Sequence, residues 1–334
     1  MLIAADGRRA GTVSGGCLEG EVARKALWHT ENGPVLRRYS TSAEDGEVPY
    51  GMGCGGIVHL LLERSATAAD LLARLDASFE QRLPLAIATV LEGAAIGSRA
   101  FFPATNDAAT FASSPDKLPE LARQCFEERR SFPHTCLAAD GRTTLVRAEW
   151  CEPRPGLFVF GAGDDTIPLV KQARQLGWYV AVADGRSHLA SRARFPEAHD
   201  VVVINAHEFP NLQLRPTDAA VLMTHSLEQD TRILGELLGR DLAYLGVLGP
   251  RRRTGELLAA VANNLDLPLS KIDLQVESWM ERLHAPIGLD LGGDTPAEIA
   301  LSVIAEIQQS RHRSSGLPLR KVRGGHLESI ATCG

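Results

Sequence analysis

LFVFGAGDDTIPLVKQARQLGWYVAVAD, residues 157–184, decides the fold. Four apolar residues run into Gly161-Ala162-Gly163. An apolar stripe at helical spacing follows and stops at Gly177. A second apolar run then ends on Asp184. Strand, glycine turn, helix and parallel strand form one βαβ unit, the start of a dinucleotide-binding fold. The turn lets backbone N–H groups approach a pyrophosphate at the helix amino end. Asp184 lies 23 residues beyond Gly161, where a ribose-binding acid belongs. The fit is incomplete. Thr166 holds the third glycine position, and Asp164 and Asp165 would repel phosphate.

The chain downstream keeps the rhythm. HDVVVIN, DAAVLMTH and LAYLGVLG read as strands, LEQDTRILGELLGR and RRRTGELLAAVANNL as helices. This alternation predicts a parallel sheet covered on both faces. In DTPAEIALSVIAEI, Thr295 is the expected N-cap, Pro296 the first helical residue and Glu298 the capping-box partner. Ile299, Val303, Ile304 and Ile307 make its apolar stripe. RLHAPIGLDLGGDTP is expected to add a last strand end, with His284 and Asp290 near the rim.

Ligands in such sheets sit beyond the strands' carboxyl ends. Gly161–Gly163, Asp184-Gly185-Arg186, His225 and Gly249-Pro250-Arg251 should therefore converge on one cleft. Arg251 opens a helix, and a guanidinium beside free helix N–H groups makes an anion clamp. Arg252 and Arg253 read as solvated. His225 is a candidate acid–base, although no partner for it is visible.

Residues 1–150 read differently. A hairpin turning at Asp6-Gly7 leads to a helix at LEGEVARKALWHT, whose expected stripe is Val22, Ala23, Ala26 and Leu27. VLRRYS and GGIVHLLLE read as strands, residues 66–79 as a helix, and PLAIATVLEG with GSRAFF as a hairpin. LPELARQCFEERRS is helical and RTTLVRAEW a strand. CEPRPG, 151–156, is the linker. The fold class is α/β: a C-terminal Rossmann-like doubly wound parallel sheet plus a smaller N-terminal α+β domain. The expected domains are 1–153 and 156–312, with a loosely held tail at 313–334.

Two cysteines stand out. Cys17 follows Gly15-Gly16 and opens a helix, with Glu19 two residues on. Cys54 lies between Gly53 and Gly55. Helix N–H groups and a glycine-built nest both favour the thiolate, hence reactivity or contact with a thiophilic metal. Cys125, Cys136 and Cys151 read as small buried hydrophobes. None of the six cysteines forms a CxxC pair, which argues against a zinc finger or thioredoxin-type site.

With 35 Lys+Arg against 41 Asp+Glu, the net charge of −6 argues against general nucleic-acid binding. There is no apolar run of about 18 residues to span a membrane. The start, MLIAADG, does not read as a signal-peptide core, so a cytoplasmic location is the default.

Taken together, GTVSGGCLEGEV, GMGCGGIVHLLLE, FGAGDDTIPLVKQARQLGW, VADGRSHLASRARFPEA, AVLMTHSLEQDTRILGELL, YLGVLGPRRRTGELL and HAPIGLDLGGDTPAEIALSVIAEI resemble the XdhC/CoxI family, the xanthine dehydrogenase accessory factors. The resemblance covers nearly all of residues 1–310. It implies a chaperone that binds molybdenum cofactor (molybdopterin) and delivers it, during sulfuration, to a molybdenum hydroxylase apo-enzyme, with a cysteine desulfurase as sulfur donor. It implies Cys17 and Cys54 as candidate contacts for molybdenum or its sulfur. Glu19, Gly161, Gly163, Asp184, Arg186, His225 and Arg251 complete the candidate cofactor-binding set. A homodimer is expected. The family pattern begins with an earlier strand and a Ser-Pro-Arg loop that this sequence lacks, and it commonly has histidine where Asp164 stands. The alternative is an oxidoreductase using NAD(P) in the Rossmann-like domain.

Overall fold

The structure, a computed structural model, describes residues 1–14, 16–40, 57–93, 95–103, 117–137, 143–205, 209–265 and 268–322. The chain forms two compact units, Met1–Pro153 and Arg154–Gly334.

The N-terminal unit opens with β1 (Leu2–Ile3) and β2 (Arg9–Ala10), paired antiparallel around Gly7 at φ 86°. Helix α1 (Cys17–His29) buries Leu18 and Val22, one turn apart, against β3 (Val35–Ser40) and β4 (Ile57–Leu62). The expected stripe needs correction here, because Leu27 is exposed. At 100° per residue it lies about 140° around the helix from Val22.

Next come α2 (Ser65–Gln81), β5 (Leu85–Glu92), β6 (Arg99–Phe102), α3 (Leu118–Glu128), β7 (Phe132–Leu137) and β8 (Thr143–Cys151). The last four strands form an antiparallel sheet ordered β6-β5-β8-β7. Helix α3 buries Leu118, Leu121, Ala122 and Cys125, an i, i+3, i+4, i+7 stripe, on one face. Leu71 and Leu75 of α2 pack with Leu85, Ile87 and Phe101 on the other. That double cover explains why β5 is buried continuously and does not alternate. Strand β7 escapes the sequence reading because Pro133 interrupts it, and Pro is tolerated here since β7 is an edge. Cys125 and Cys136 are buried and Cys151 partly so. Burial pushes the Cys151 thiol up to about 11 and raises that of Cys125, which disfavours the thiolate at both.

The C-terminal unit holds β9 (Gly156–Phe160), α4 (Thr166–Gln175), β10 (Tyr179–Asp184), β11 (Asp200–Val203), β12 (Ala219–Leu222), α5 (Leu227–Leu238), β13 (Tyr244–Val247), α6 (Arg251–Asn264), α7 (Leu269–Arg282), α8 (Pro296–His312) and α9 (Leu319–Val322). Its five strands are parallel in the order β11-β10-β9-β12-β13. The period-two alternation of β9 divides the core. Leu157 and Val159 face α4 and α8, while Phe158 and Phe160 face α5, α6 and α7. Burying each such side chain stabilises the unit by about 1.5–3 kcal/mol. Helix α8 starts with the expected capping box: Thr295 accepts from the Glu298 N–H, and Glu298 accepts from the Thr295 N–H.

One element at this end is missed by the sequence reading and one expectation is corrected. Leu269–Arg282, given no element by the sequence reading, is α7, which packs Ile272, Val276 and Trp279 into the core. Residues 283–293 form no strand. His284 makes a single parallel bridge to Gly246, and Asp290 is exposed. Four glycine and proline positions within Pro286–Gly293 prevent a continuous ladder. His284 is therefore held beside the middle of β13. It stacks on Tyr244 at 4.1 Å and bonds Glu306 of α8 at 3.1 Å. No described helix is long and apolar enough to cross a membrane.

Candidate functional site

The strand order reverses between β9 and β12. The chain winds outward through β10 and β11, then returns to the other side of β9. Such a switch point opens a crevice at the carboxyl ends of the strands. Glycine makes the close approach possible. Gly161 has φ 130°, and a Cβ there would collide with the backbone of Met223 and Thr224 after β12. The turn is fastened from inside. The Gly161 N–H donates to Ala183 O at 2.8 Å, and the buried Thr166 hydroxyl donates to Gly161 O at 3.0 Å. Thr166 thus closes the turn where a third glycine would leave it open.

Asp184 ends β10 fully buried. Its Oδ2 accepts from the Ala162 N–H and from Arg186 Nη2, both at 2.7 Å. Its Oδ1 accepts from the Arg186 N–H at 2.8 Å and from Nε at 3.0 Å. Burial pushes this carboxyl up, but the Arg186 side chain and the two N–H groups outweigh it, and the net shift is downward. Arg186 also reaches Thr224 O at 3.3 Å, tying the end of β10 to that of β12. Gln229 lies against Gly185, and its Nε2 is buried without a hydrogen-bond partner among the described residues.

After β12 the backbone turns at His225, whose φ of 61° is rare outside glycine. Its Nε2 lies 3.2 Å from Asp165 Oδ2. Here is the partner that sequence reading could not supply. Asp165 was legible only as a charge near a phosphate position, and nothing in its spacing pointed 60 residues forward. Asp164 points out and pairs with Arg194 at 2.7 Å.

The arginines also redistribute. Arg251 is exposed, and Arg252 is exposed beside Glu256 at 3.4 Å. Arg253, expected to be solvated, instead bonds the fully buried Asp230 at 2.6 Å and Leu248 O at 3.2 Å. The Thr224 hydroxyl completes that lock on Asp230 Oδ1 at 2.5 Å. Hydrogen bonds therefore link the Gly161, Asp184 and His225 stretches and the Leu248–Arg253 segment at the carboxyl ends of the strands, through Arg186, Asp165, Thr224, Asp230 and Arg253. An aspartate buried in an otherwise apolar helix stripe was the available signal for Asp230.

In the N-terminal unit, Gly16 at φ 120° precedes α1, and no side chain among the described residues caps the helix. Cys17 is its first residue. Glu19 folds back: Oε1 accepts from the Val13 and Ser14 N–H groups at 3.0 and 2.6 Å, and Oε2 from the Ser14 hydroxyl at 2.8 Å. The Ser14 N–H above all, against the opposing effect of burial, lowers its carboxyl to about 2. Cys54 lies outside the described residues. Among those described, no group of three His, Cys, Asp or Glu is arranged to hold a metal.

The fold defines a two-unit α/β protein with a Rossmann-type domain at its C-terminal end. The model for the XdhC Rossmann domain matches residues 157–307, and that for the XdhC and CoxI family matches residues 1–40. A Bacillus subtilis (strain 168) protein named as a probable xanthine dehydrogenase subunit is 30% identical over 94% of this chain and 88% of its own length. A crystal structure of a xanthine dehydrogenase from Bacillus halodurans superposes with a TM-score of 0.71 at 27% identity, covering 96% of this chain and 88% of that one. The chain belongs to the XdhC and CoxI family.

Proposed function

We propose that the protein is an accessory factor for a xanthine dehydrogenase-type molybdenum hydroxylase. It binds molybdenum cofactor, shields it while a cysteine desulfurase supplies the terminal sulfur, and hands it to the apo-enzyme. The observation that carries this reading is the end-to-end similarity to a protein named for its place in a xanthine dehydrogenase. In the sequence, Cys17 is the thiol proposed to meet the thiophilic part of such a cofactor. That residue starts a helix whose amino end no described side chain caps, a setting that favours a thiolate. Glu19 fixes the preceding Val13-Ser14 turn, and so acts as a positioning residue for the loop. Cys54 is the second proposed sulfur contact. When bound, the cofactor supplies the oxidative hydroxylation chemistry of the enzyme that receives it. The residues here bind, orient and exclude water. Self-association as a homodimer is part of the proposal.

The test mixes purified protein with released cofactor and measures retention after gel filtration for wild type, Cys17→Ala and Cys54→Ala. Retention by wild type and at least a tenfold loss in either variant supports the reading. No retention by wild type, or equal retention in all three, defeats it.

The rival NAD(P) oxidoreductase has Gly161 and Gly163 in its favour. Against it stands Asp184, whose two oxygens are already taken by Ala162 and Arg186. Titration with NADH and NADPH, followed by a carbonyl-reduction assay, separates the two readings.

A further inference from the structure

We propose that the N-terminal unit binds a free α-amino acid with a large apolar side chain, in the cavity between the β3–β4 ribbon and the β5–β6 hairpin. The site lies on the face of the ribbon turned away from α1, and it does not rest on the cofactor reading.

The cavity measures about 420 Å³, within the range of small-molecule sites. It exists because the ribbon has two faces and only one is packed under a helix. Tyr39, Val58, Leu60 and Leu62 turn toward α1, where Leu18 and Val22 are buried among them. Alternation sends Leu36, Arg38 and His59 to the other side. There they line the cavity together with Leu91, Glu92 and Ile96 of the hairpin. A β-bulge shapes this second wall. Val90 and Glu92 pair with the consecutive residues Val146 and Leu145 of β8, so Leu91 is the extra residue. In a regular strand Leu91 and Glu92 would point to opposite faces; here both line the cavity.

The walls are fixed to each other at one end. Arg99 of β6 donates to Glu63, just past β4, at 3.0 Å, and both side chains are almost wholly buried. The same guanidinium reaches Gly97 O at 3.2 Å. Gly97, at φ 85°, lies so near Pro34 that a Cβ would press on its ring. The cavity is thus preformed, which spares a ligand the ordering of its walls.

Its lining selects the ligand. Val35, Leu36, Leu91 and Ile96 supply apolar walls. Arg38 brings a permanent positive charge, and His59 stands directly opposite it on the neighbouring strand. Glu92, on the hairpin side, is exposed and makes no ion pair or hydrogen bond among the described residues. An apolar acid would suit Arg38 but be repelled by Glu92. An apolar amine would suit Glu92 but be repelled by Arg38. A zwitterion suits both: its carboxylate meets Arg38 and His59, its ammonium meets Glu92, and its side chain fills the space between the apolar walls.

The experiment is calorimetric titration of the full chain with L-phenylalanine and with three analogues that each lack one feature. 3-Phenylpropionate lacks the ammonium, 2-phenylethylamine the carboxylate and L-alanine the ring. L-Phenylalanine is expected to bind at least tenfold more tightly than each analogue. Glu92→Gln is expected to weaken L-phenylalanine at least tenfold and to leave 3-phenylpropionate unchanged or tighter. Ile96→Trp, which fills the cavity, should abolish binding; thermal melts check the folding of both variants. No saturation of wild type by L-phenylalanine in the millimolar range overturns the proposal. So does an analogue that binds as tightly as L-phenylalanine, and so does unchanged L-phenylalanine affinity in either folded variant.

Discussion

Arg253 Nη2 donates to Asp230 Oδ2 at 2.6 Å, and the carboxylate it meets is wholly buried. The pair joins the first turn of α6 to that of α5 beneath the crevice. Removing one partner strands a charge in the interior. Asp230→Ala should therefore lower stability by about 3–5 kcal/mol, read as a shift in the urea midpoint. Replacing both residues by Leu and Met should cost clearly less than the sum of the single changes.

Gly161 and Gly163 should respond unequally to alanine. At Gly161 the obstacle is the backbone of Met223 and Thr224, and φ is 130°. Gly161→Ala should destabilise by on the order of 3 kcal/mol or more. At Gly163 the obstacle is a side-chain oxygen that can swing away, so Gly163→Ala should cost about 1 kcal/mol or less. Denaturant melts of the two variants side by side check this. Equal losses would refute the claimed difference between a backbone and a side-chain obstacle.

His199 gives the C-terminal unit an acid-sensitive joint. Its Nδ1 accepts from the Val180 N–H at 2.9 Å, while Arg174 and Arg154 lie 2.9 and 3.2 Å from Nε2. Burial first, then the two guanidinium groups, push its pKa from 6.5 down to about 4. A base depressed on folding is neutral in the fold and takes up a proton on unfolding. Its contribution is thus complete above pH 6.5 and is lost as pH falls toward 4. The ring's proton resonances should titrate with a midpoint near 4. The stability of His199→Gln should vary less with pH over that interval than wild type.

Glu19 acts on the N-terminal unit at lower pH. Its carboxyl is lowered from 4.5 to about 2, chiefly by the Ser14 N–H. The stabilisation is whole above pH 4.5 and disappears as pH drops through 2. Glu19→Gln should flatten the acid limb of a pH–stability profile recorded on that unit's signals.

The predictions rest on parts of the molecule that were unequally legible. The βαβ segment and the α8 capping box could be read directly, because periodicity, glycine placement and Thr-x-x-Glu each state a local preference that the fold obeys. Pro133 hid β7, since an edge strand tolerates what a central strand forbids. At the site, residues placed by strand topology, such as Gly161, Asp184 and His225, were found at the expected ends. The pairs Asp165–His225 and Asp230–Arg253 were not found. Each links positions 60 and 23 residues apart through side-chain geometry, which no local pattern encodes.

Strand β9 is made first in its unit and sits in the middle of the sheet. Its Leu157 pairs with Ala219, and the Gly156 N–H donates to Asp218 across 62 residues. During synthesis, one apolar edge of this strand therefore stays bare until Leu222 has emerged, with β10 already on its other side. Chains stalled or cleaved before that point should aggregate, and chaperone demand should fall sharply once β12 docks.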